Sequence, residues 1–224
     1  MMIYHPVIQM SVTEENKIRH EKNPQWGVCG THISPGNDKV GHIPSFSTMP
    51  MSTCGKNVPC AKGCYAVKLA RRPNVRMCWE ANTAKVKAGE LSEIGADITA
   101  YLSAHPDIHQ FRWNVAGDIA SKAFLAMMIC VAHDNPGVTF MAFTKRYELL
   151  PLEGLPDNLR IVLSCWKDYR PSKLLASKYP TAWYDDGTPE CGIPEGAYHC
   201  GGDCEKCLEC FTMGPGSAVY FTKH

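Results

Sequence analysis

Apolar and polar positions along the chain follow two different periods. Five short runs rich in β-branched and aromatic residues predict strands. They are Ile108–Val115 (IHQFRWNV), Val138–Phe143 (VTFMAF), Leu159–Leu163 (LRIVL), Thr181–Tyr184 and Ser217–Thr222 (SAVYFT). Between them, Ser121–His133 reads as an apolar helix, Ser172–Lys178 as a short one, and Tyr147–Leu150 as a helical turn. Upstream, Cys64–Arg72 (CYAVKLARR) is helical in pattern. Pro73 interrupts it, and a helix resumes over about Asn74–Leu102, weakened at Gly89 and Gly95. Lys39–Ser47 is a candidate first strand. Residues 1–38 are polar, turn at Ser34-Pro35-Gly36-Asn37, and predict an irregular arm.

Strands alternating with helices predict an α/β protein with a parallel sheet and crossover connections. About six such steps fit either an incomplete barrel or an open doubly wound sheet, and periodicity does not separate them. In both, function collects at the carboxyl ends of the strands. The polar clusters fall there: Asn114 with Gly117-Asp118, then Thr144-Lys145-Arg146, then Ser164. The organisation expected is an arm over 1–38, a β/α body over 39–185, and a Cys-rich segment with a closing strand over 186–224.

Composition narrows the classes. The chain has 224 residues, 45% apolar and 20% charged, enough to bury a substantial core. Lys and Arg number 23 against 22 Asp and Glu, a net charge of +1, so nucleic acid is not favoured as a partner. The longest apolar run, Ala123–Ala132, is short of the roughly 18 residues that span a bilayer, so no membrane partner is expected. The first ten residues hold Pro6 and no Lys or Arg, unlike a signal peptide. A cytoplasmic location is the expectation. Within a reducing compartment, the 12 cysteines point to metal rather than to disulfides.

The cysteines fall into two clusters. Cys54-x5-Cys60-x3-Cys64, followed by Tyr65, places three thiols on one short loop after a strand. Structural zinc takes four ligands, usually from two close pairs. Three from one loop leave an open position, as on an iron–sulfur cluster held by three cysteines. Cys78 lies 14 residues beyond Cys64, about 21 Å along a continuous helix. It reads as a buried thiol, although a break at Pro73 would bring it into contention as a fourth ligand. The second cluster is Cys191-x8-Cys200-x3-Cys204-x2-Cys207-x2-Cys210. Its x2–x2 run resembles the ferredoxin spacing around a [4Fe–4S] cluster, with Cys191 or Cys200 as the fourth ligand and zinc as the rival metal. Cys130 and Cys165 read as core, and so do Met127-Met128. Asp118 could cap the helix that follows it, Lys145-Arg146 could be a solvated pair, and Tyr65 could pack against a cluster. His105 and His109 flank Pro106 and are not a metal pair.

Cys54, Cys60, Cys64 and Tyr65 resemble the radical S-adenosylmethionine (SAM) superfamily, which carries three cysteines and an adjoining aromatic residue after the first barrel strand. Ala116-Gly117-Asp118 is similar to a shortened form of that superfamily's acidic turn. The chain more closely resembles the phage gene product 88 family, a divergent relative. The match runs through Asn37, Lys39 and Gly41, then Thr53-Cys54, Cys60 and Cys64-Tyr65-Ala66. It continues through Trp113–Asp118, Phe143-Thr144-Lys145, Cys191, Cys204, Cys207, Cys210 and His224. Two departures stand out: the x5 and x3 spacings where x3 and x2 are usual, and Ala-Gly-Asp in place of Gly-Gly-Glu.

The resemblance implies a partial (β/α)6 barrel of radical-SAM type with a Cys-rich C-terminal cluster segment. It implies an open [4Fe–4S] cluster, an auxiliary one and SAM as cofactor. Asp118 would then meet the amino group of SAM and Lys145 its carboxylate, while Asn114, Thr144 and Ser164 would line the substrate side. Such an enzyme needs an electron donor and a small-molecule or peptide substrate. The competing expectations are a non-catalytic iron–sulfur protein, for electron transfer or structure, and a zinc-stabilised module.

Overall fold

The computed structural model describes residues 30–36 and 40–222. The calls on Cys29, Asn37, Lys39 and His224 lie outside them. Eight strands make one sheet: β1 (Ile33–Ser34), β2 (Ser45–Phe46), β3 (Gln110–Trp113), β4 (Thr139–Thr144), β5 (Leu159–Cys165), β6 (Thr181–Asp185), β7 (Tyr198–His199) and β8 (Ala218–Thr222). Their order is β1-β2-β3-β4-β5-β6-β8-β7, and every pairing except β1 with β2 is parallel. From β2 to β6 each strand lies beside its neighbour in sequence, so the order never reverses as it does at the switch point of a doubly wound sheet.

The helices are α1 (Tyr65–Leu69), α2 (Pro73–Ala88), α3 (Leu91–Ala104), α4 (Lys122–Asp134), α5 (Lys173–Ala176), α6 (Cys204–Cys207) and α7 (Glu209–Thr212). The long helix expected over 74–102 is two helices. Gly89, at φ 79°, ends α2 in the left-handed conformation that closes a helix without side-chain strain. Gly95 stays inside α3, where an added Cβ would meet Val131 Cγ2 of α4 at 3.3 Å, so its missing side chain lets the two helices approach. The expected strand over 39–47 shrinks to Ser45–Phe46. Ahead of it the chain turns, with Ile43 N donating to Val40 O and Gly41 at φ 61°.

Alternation along the strands divides the core in two. Phe111, Trp113, Phe140, Ala142, Leu159, Ile161, Leu163, Cys165 and Trp183 pack with α3 and α4. An aromatic group of Phe46, Phe111, Trp113, Phe124 and Phe140, with centroids 5.2 to 6.3 Å apart, fills that layer. The intervening positions Met141, Val162, Ala182 and Val219 pack instead with Val40, Ile43, Phe211 and Met213. The Cys-rich segment therefore covers the sheet face opposite the long helices, and its closing strand joins the same sheet. Cys165, Met127 and Met128 are buried as expected. Cys130 is exposed, against the core expectation. Phe124, Met127, Met128 and Val131 form the inward stripe of α4, and position 130 falls off it.

Candidate metal centre

The loop after β2 carries the first three thiols, and hydrogen bonds from several elements hold it. Asn82 on α2 donates to Ser47 O at 2.9 Å, Thr48 N donates to Ala116 O at 3.1 Å, and Met49 N donates to Thr83 Oγ1 at 2.7 Å. Met51 and Asn57, at φ 67° and 58°, reverse the chain on either side of Cys54. Thr48 and Thr53 share a hydroxyl hydrogen bond of 2.8 Å, and Thr53 Oγ1 accepts from Asp118 N at 3.0 Å. Gly117 lies against this pair at φ 83°. A Cβ there would sit 2.0 Å from Thr48 Oγ1 and 2.7 Å from Thr53 Oγ1, so only glycine fits.

Asp118 is fully buried and ties β3 to β4. Its Oδ1 accepts from Ile119 N (2.8 Å) and Thr144 Oγ1 (2.6 Å), and its Oδ2 accepts from Lys145 N (3.0 Å). It does not cap α4; Ser121 does, accepting from Phe124 N. Three protein donors already occupy the carboxylate, which places it in the scaffold of the loop rather than in the open. Thr144 is likewise fully buried, and its Oγ1 also accepts from Arg146 N. Arg146 is not half of a solvated pair. It bonds Glu148 through Nε, and its Nη1 donates to Thr53 O, Ile119 O and Ala120 O at 3.3 to 3.5 Å. Sequence reasoning missed Thr48 as part of the site and gave Arg146 and Thr53 no role in holding the loop. The sequence signal for those two was their place beside Thr144-Lys145 and Cys54.

Cys54, Cys60 and Cys64 are half-buried and free. Burial pushes the Cys54 and Cys60 thiols up. The negative charge of Asp118 and neighbouring thiols add to the rise, while the positive charge of Lys145 opposes it in both. The loop thiols, Lys145 and Asp118 are thus electrostatic neighbours. Tyr65 is exposed, and its hydroxyl donates to Val115 O, which pins α1 to the end of β3. Cys78 stands apart on α2. Desolvation raises its thiol to about 12, and its surface is half-buried rather than buried.

The second group gathers Cys200, Cys204, Cys207 and Cys210. Cys210 is pushed to about 12 by burial first, then by Cys200, Cys204 and Cys207, with Arg112 opposing. Cys200, Cys204 and Cys210 pack on the sheet face that holds Met141 and Val162. The Arg112 guanidinium lies 5.4 Å over the Phe143 ring. Cys191 is placed elsewhere. It is buried in the turn after β6, and its thiol donates to Asp186 Oδ1 at 2.7 Å. Hydrogen bonds from Cys191 and Thr188 hold the Asp186 carboxyl down at about 2. Among the described residues, Asp185, Asp186 and Cys191 alone bring three ligand atoms within 4.8 Å of one another. Of the remaining predicted residues, Ser164 is buried and its carbonyl accepts from Tyr147 Oη. Asn114, 5% exposed and at φ 54°, has neither amide atom hydrogen-bonded among the described residues.

A family model described as Gene product 88 matches residues 13–212. No curated protein and no solved structure matches the chain. Among the described residues, no helix is long and apolar enough to cross a membrane.

Proposed function

The chain belongs to the Gene product 88 family, and from that membership we propose an iron–sulfur protein of radical-SAM type. One open [4Fe–4S] cluster would be held by Cys54, Cys60 and Cys64, and an auxiliary [4Fe–4S] cluster by Cys200, Cys204, Cys207 and Cys210. The observation that carries this reading is the gathering of seven thiols into two sets, one of three and one of four, against a sequentially ordered parallel sheet. That strand order supports the partial-barrel architecture.

The donor sets fit the group. The three-cysteine loop and the separate four-cysteine set offer thiolate sulfur, the donor that iron–sulfur clusters take. Cys200 rather than Cys191 completes the second set.

A cluster held by Cys54, Cys60 and Cys64 would supply one electron for reductive cleavage of SAM, with methionine as the leaving fragment, and so give the site radical chemistry. The chain's own residues bind and orient. The Thr48–Thr53–Asp118–Thr144 network and the Arg146 fork fix the loop against the ends of β3 and β4. Lys145 places a cation beside the loop, where it offsets thiolate charge and is positioned for a ligand carboxylate. Asn114 offers a buried donor and acceptor with no hydrogen-bond partner among the described residues, available to a ligand or to water.

Oxygen-free reconstitution tests the reading through iron and sulfide assays and paramagnetic resonance with and without SAM. The expected result is roughly eight irons per chain, falling to about four in the triple Cys54, Cys60, Cys64→Ser variant. SAM perturbs the wild-type spectrum and leaves the variant's unchanged. A colourless product that binds only zinc refutes the reading.

A further inference from the structure

Arg112 interrupts an apolar strand. Its neighbours Phe111 and Trp113 are fully buried in the layer packed on α3 and α4, so alternation turns Arg112 to the opposite face of the sheet. There its register partner is Met141, part of the cluster built with the Cys-rich segment. The Arg112 side chain is half-buried, with its guanidinium 5.4 Å over the Phe143 ring. Phe143 packs in the same cluster as Cys200, Cys204 and Cys210. Among the described residues Arg112 has no ion pair, and its buried Nε has no hydrogen-bond partner. A cation drawn partly out of water without a counter-charge is unfavourable. The nearby Cys210 thiol is one group whose negative form it favours. On the solvent side, Tyr198 of β7 is 46% exposed, and the Cys207 thiol donates to its hydroxyl oxygen at 3.6 Å. Pairing of β7 with β8, continued by Cys200 N donating to Tyr220 O at 2.8 Å, holds Tyr198 beside the set. A thiolate bound to iron has no proton to give, so there the phenol becomes the donor.

We propose that Arg112 and Tyr198 set the reduction potential of the second centre, Arg112 by its charge from the sheet side and Tyr198 by an O–H donated to Cys207 from the solvent side; this rests on the iron–sulfur reading above. Four thiolates leave such a centre with net negative charge, and the electron that reduces it adds one more. That electron comes from an outside one-electron reductant, which is oxidised by one step while the iron is reduced by one. No bond is made or broken in the protein. A nearby cation and a hydrogen bond to sulfur both favour the more negative, reduced state, so each residue raises the potential. Packing alone does not call for arginine here, since the adjoining strand fills the same row with Met141.

The test is an oxygen-free redox titration with dithionite, followed by paramagnetic resonance, on the iron-loaded full chain. It is repeated in the Cys54, Cys60, Cys64→Ser background, which keeps only the second centre. R112M is expected to shift that centre's one-electron equilibrium about tenfold toward the oxidised form, a potential about 59 mV lower. R112K keeps the charge and should recover most of the shift. Y198F should move the equilibrium the same way by about threefold. R112M/Y198F should combine the two shifts, because they act from opposite sides. The potential of the first centre is expected to stay where it is in every variant. Urea midpoints of R112M and Y198F are expected to match wild type, since one removes an unpaired guanidinium and the other an exposed hydroxyl. A loaded second centre whose potential ignores both R112M and Y198F overturns this inference and leaves the iron–sulfur reading standing. A fall as large in R112K as in R112M assigns Arg112 to packing and overturns its role in the potential. A triple-serine background that takes up no iron overturns the reading beneath.

Discussion

Replacing Gly117 with alanine puts a methyl carbon 2.0 Å from Thr48 Oγ1 and 2.7 Å from Thr53 Oγ1, at a backbone φ of 83°. Three penalties combine. A non-glycine residue held in the left-handed region costs about 1–2 kcal/mol. Overpacking a rigid buried site costs about 1–3 kcal/mol. Displacing the threonines weakens the 2.8 Å hydroxyl pair and the 3.0 Å bond from Asp118 N, at about 1 kcal/mol each. Allowing for relaxation, G117A should lose about 3–5 kcal/mol, a large part of the 5–15 kcal/mol that holds a typical domain. For a chain of this length that is a fall in Tm of roughly 10 °C. Denaturant unfolding gives the free energy, and iron loading gives the functional consequence, because Thr53 directly precedes Cys54. The double variant T48A/G117A removes the atom at 2.0 Å but keeps Thr53 Oγ1 at 2.7 Å, so it should recover part of the overpacking share and leave the backbone share. A G117A midpoint within about 1 kcal/mol of wild type, or a double variant no better than the single, would show that the threonine contact does not hold the loop.

Lys85 and Asp97 are 4% and 8% exposed and lie 3.4 Å apart, with Glu93 Oε2 at 3.3 Å. K85M strands the Asp97 carboxylate in the interior and should cost about 3 kcal/mol in urea unfolding, with K85M/D97L recovering most of it; a loss under about 1 kcal/mol contradicts this account of the α2–α3 contact. Burial holds the Cys78 and Cys165 thiols at about 12, above their ordinary 9.0. The folded chain therefore keeps protons that the unfolded chain releases between those values. The stability they contribute is complete below pH 9 and declines as pH rises toward 12. Unfolding midpoints at pH 8 and pH 11 should fall in that order, by less in C78A/C165A. Peptide mapping after alkylation at pH 8 should find exposed Cys130 modified well before buried Cys165; equal labelling would contradict the burial assigned to Cys165.

Much of this protein is determined by local pattern. The strands at Gln110–Trp113, Thr139–Thr144, Leu159–Cys165, Thr181–Asp185 and Ala218–Thr222, and the helix at Lys122–Asp134, follow from the period of their apolar residues, because each must bury one stripe or one face. Cysteine spacing alone marked both thiol groups, since residues close in sequence need little else to come near one another. Tertiary structure decided what depends on distant partners. The two-residue strands β1 and β7 exist only because neighbours pair with them. Cys130 faces outward because the packing partner of α4 chose the stripe beside it. Asp118 looked like a helix cap or a ligand to an amino group. It is instead enclosed by donors from its own turn and from β4, and residue order 26 positions away does not announce that Thr144 will reach it. Cys191 lies in a turn where its thiol donates a hydrogen bond to Asp186, a partner that cysteine spacing does not reveal. Strand order, too, is a matter of which edges meet, and it is that meeting that brings Lys145 beside Cys54 and Cys60.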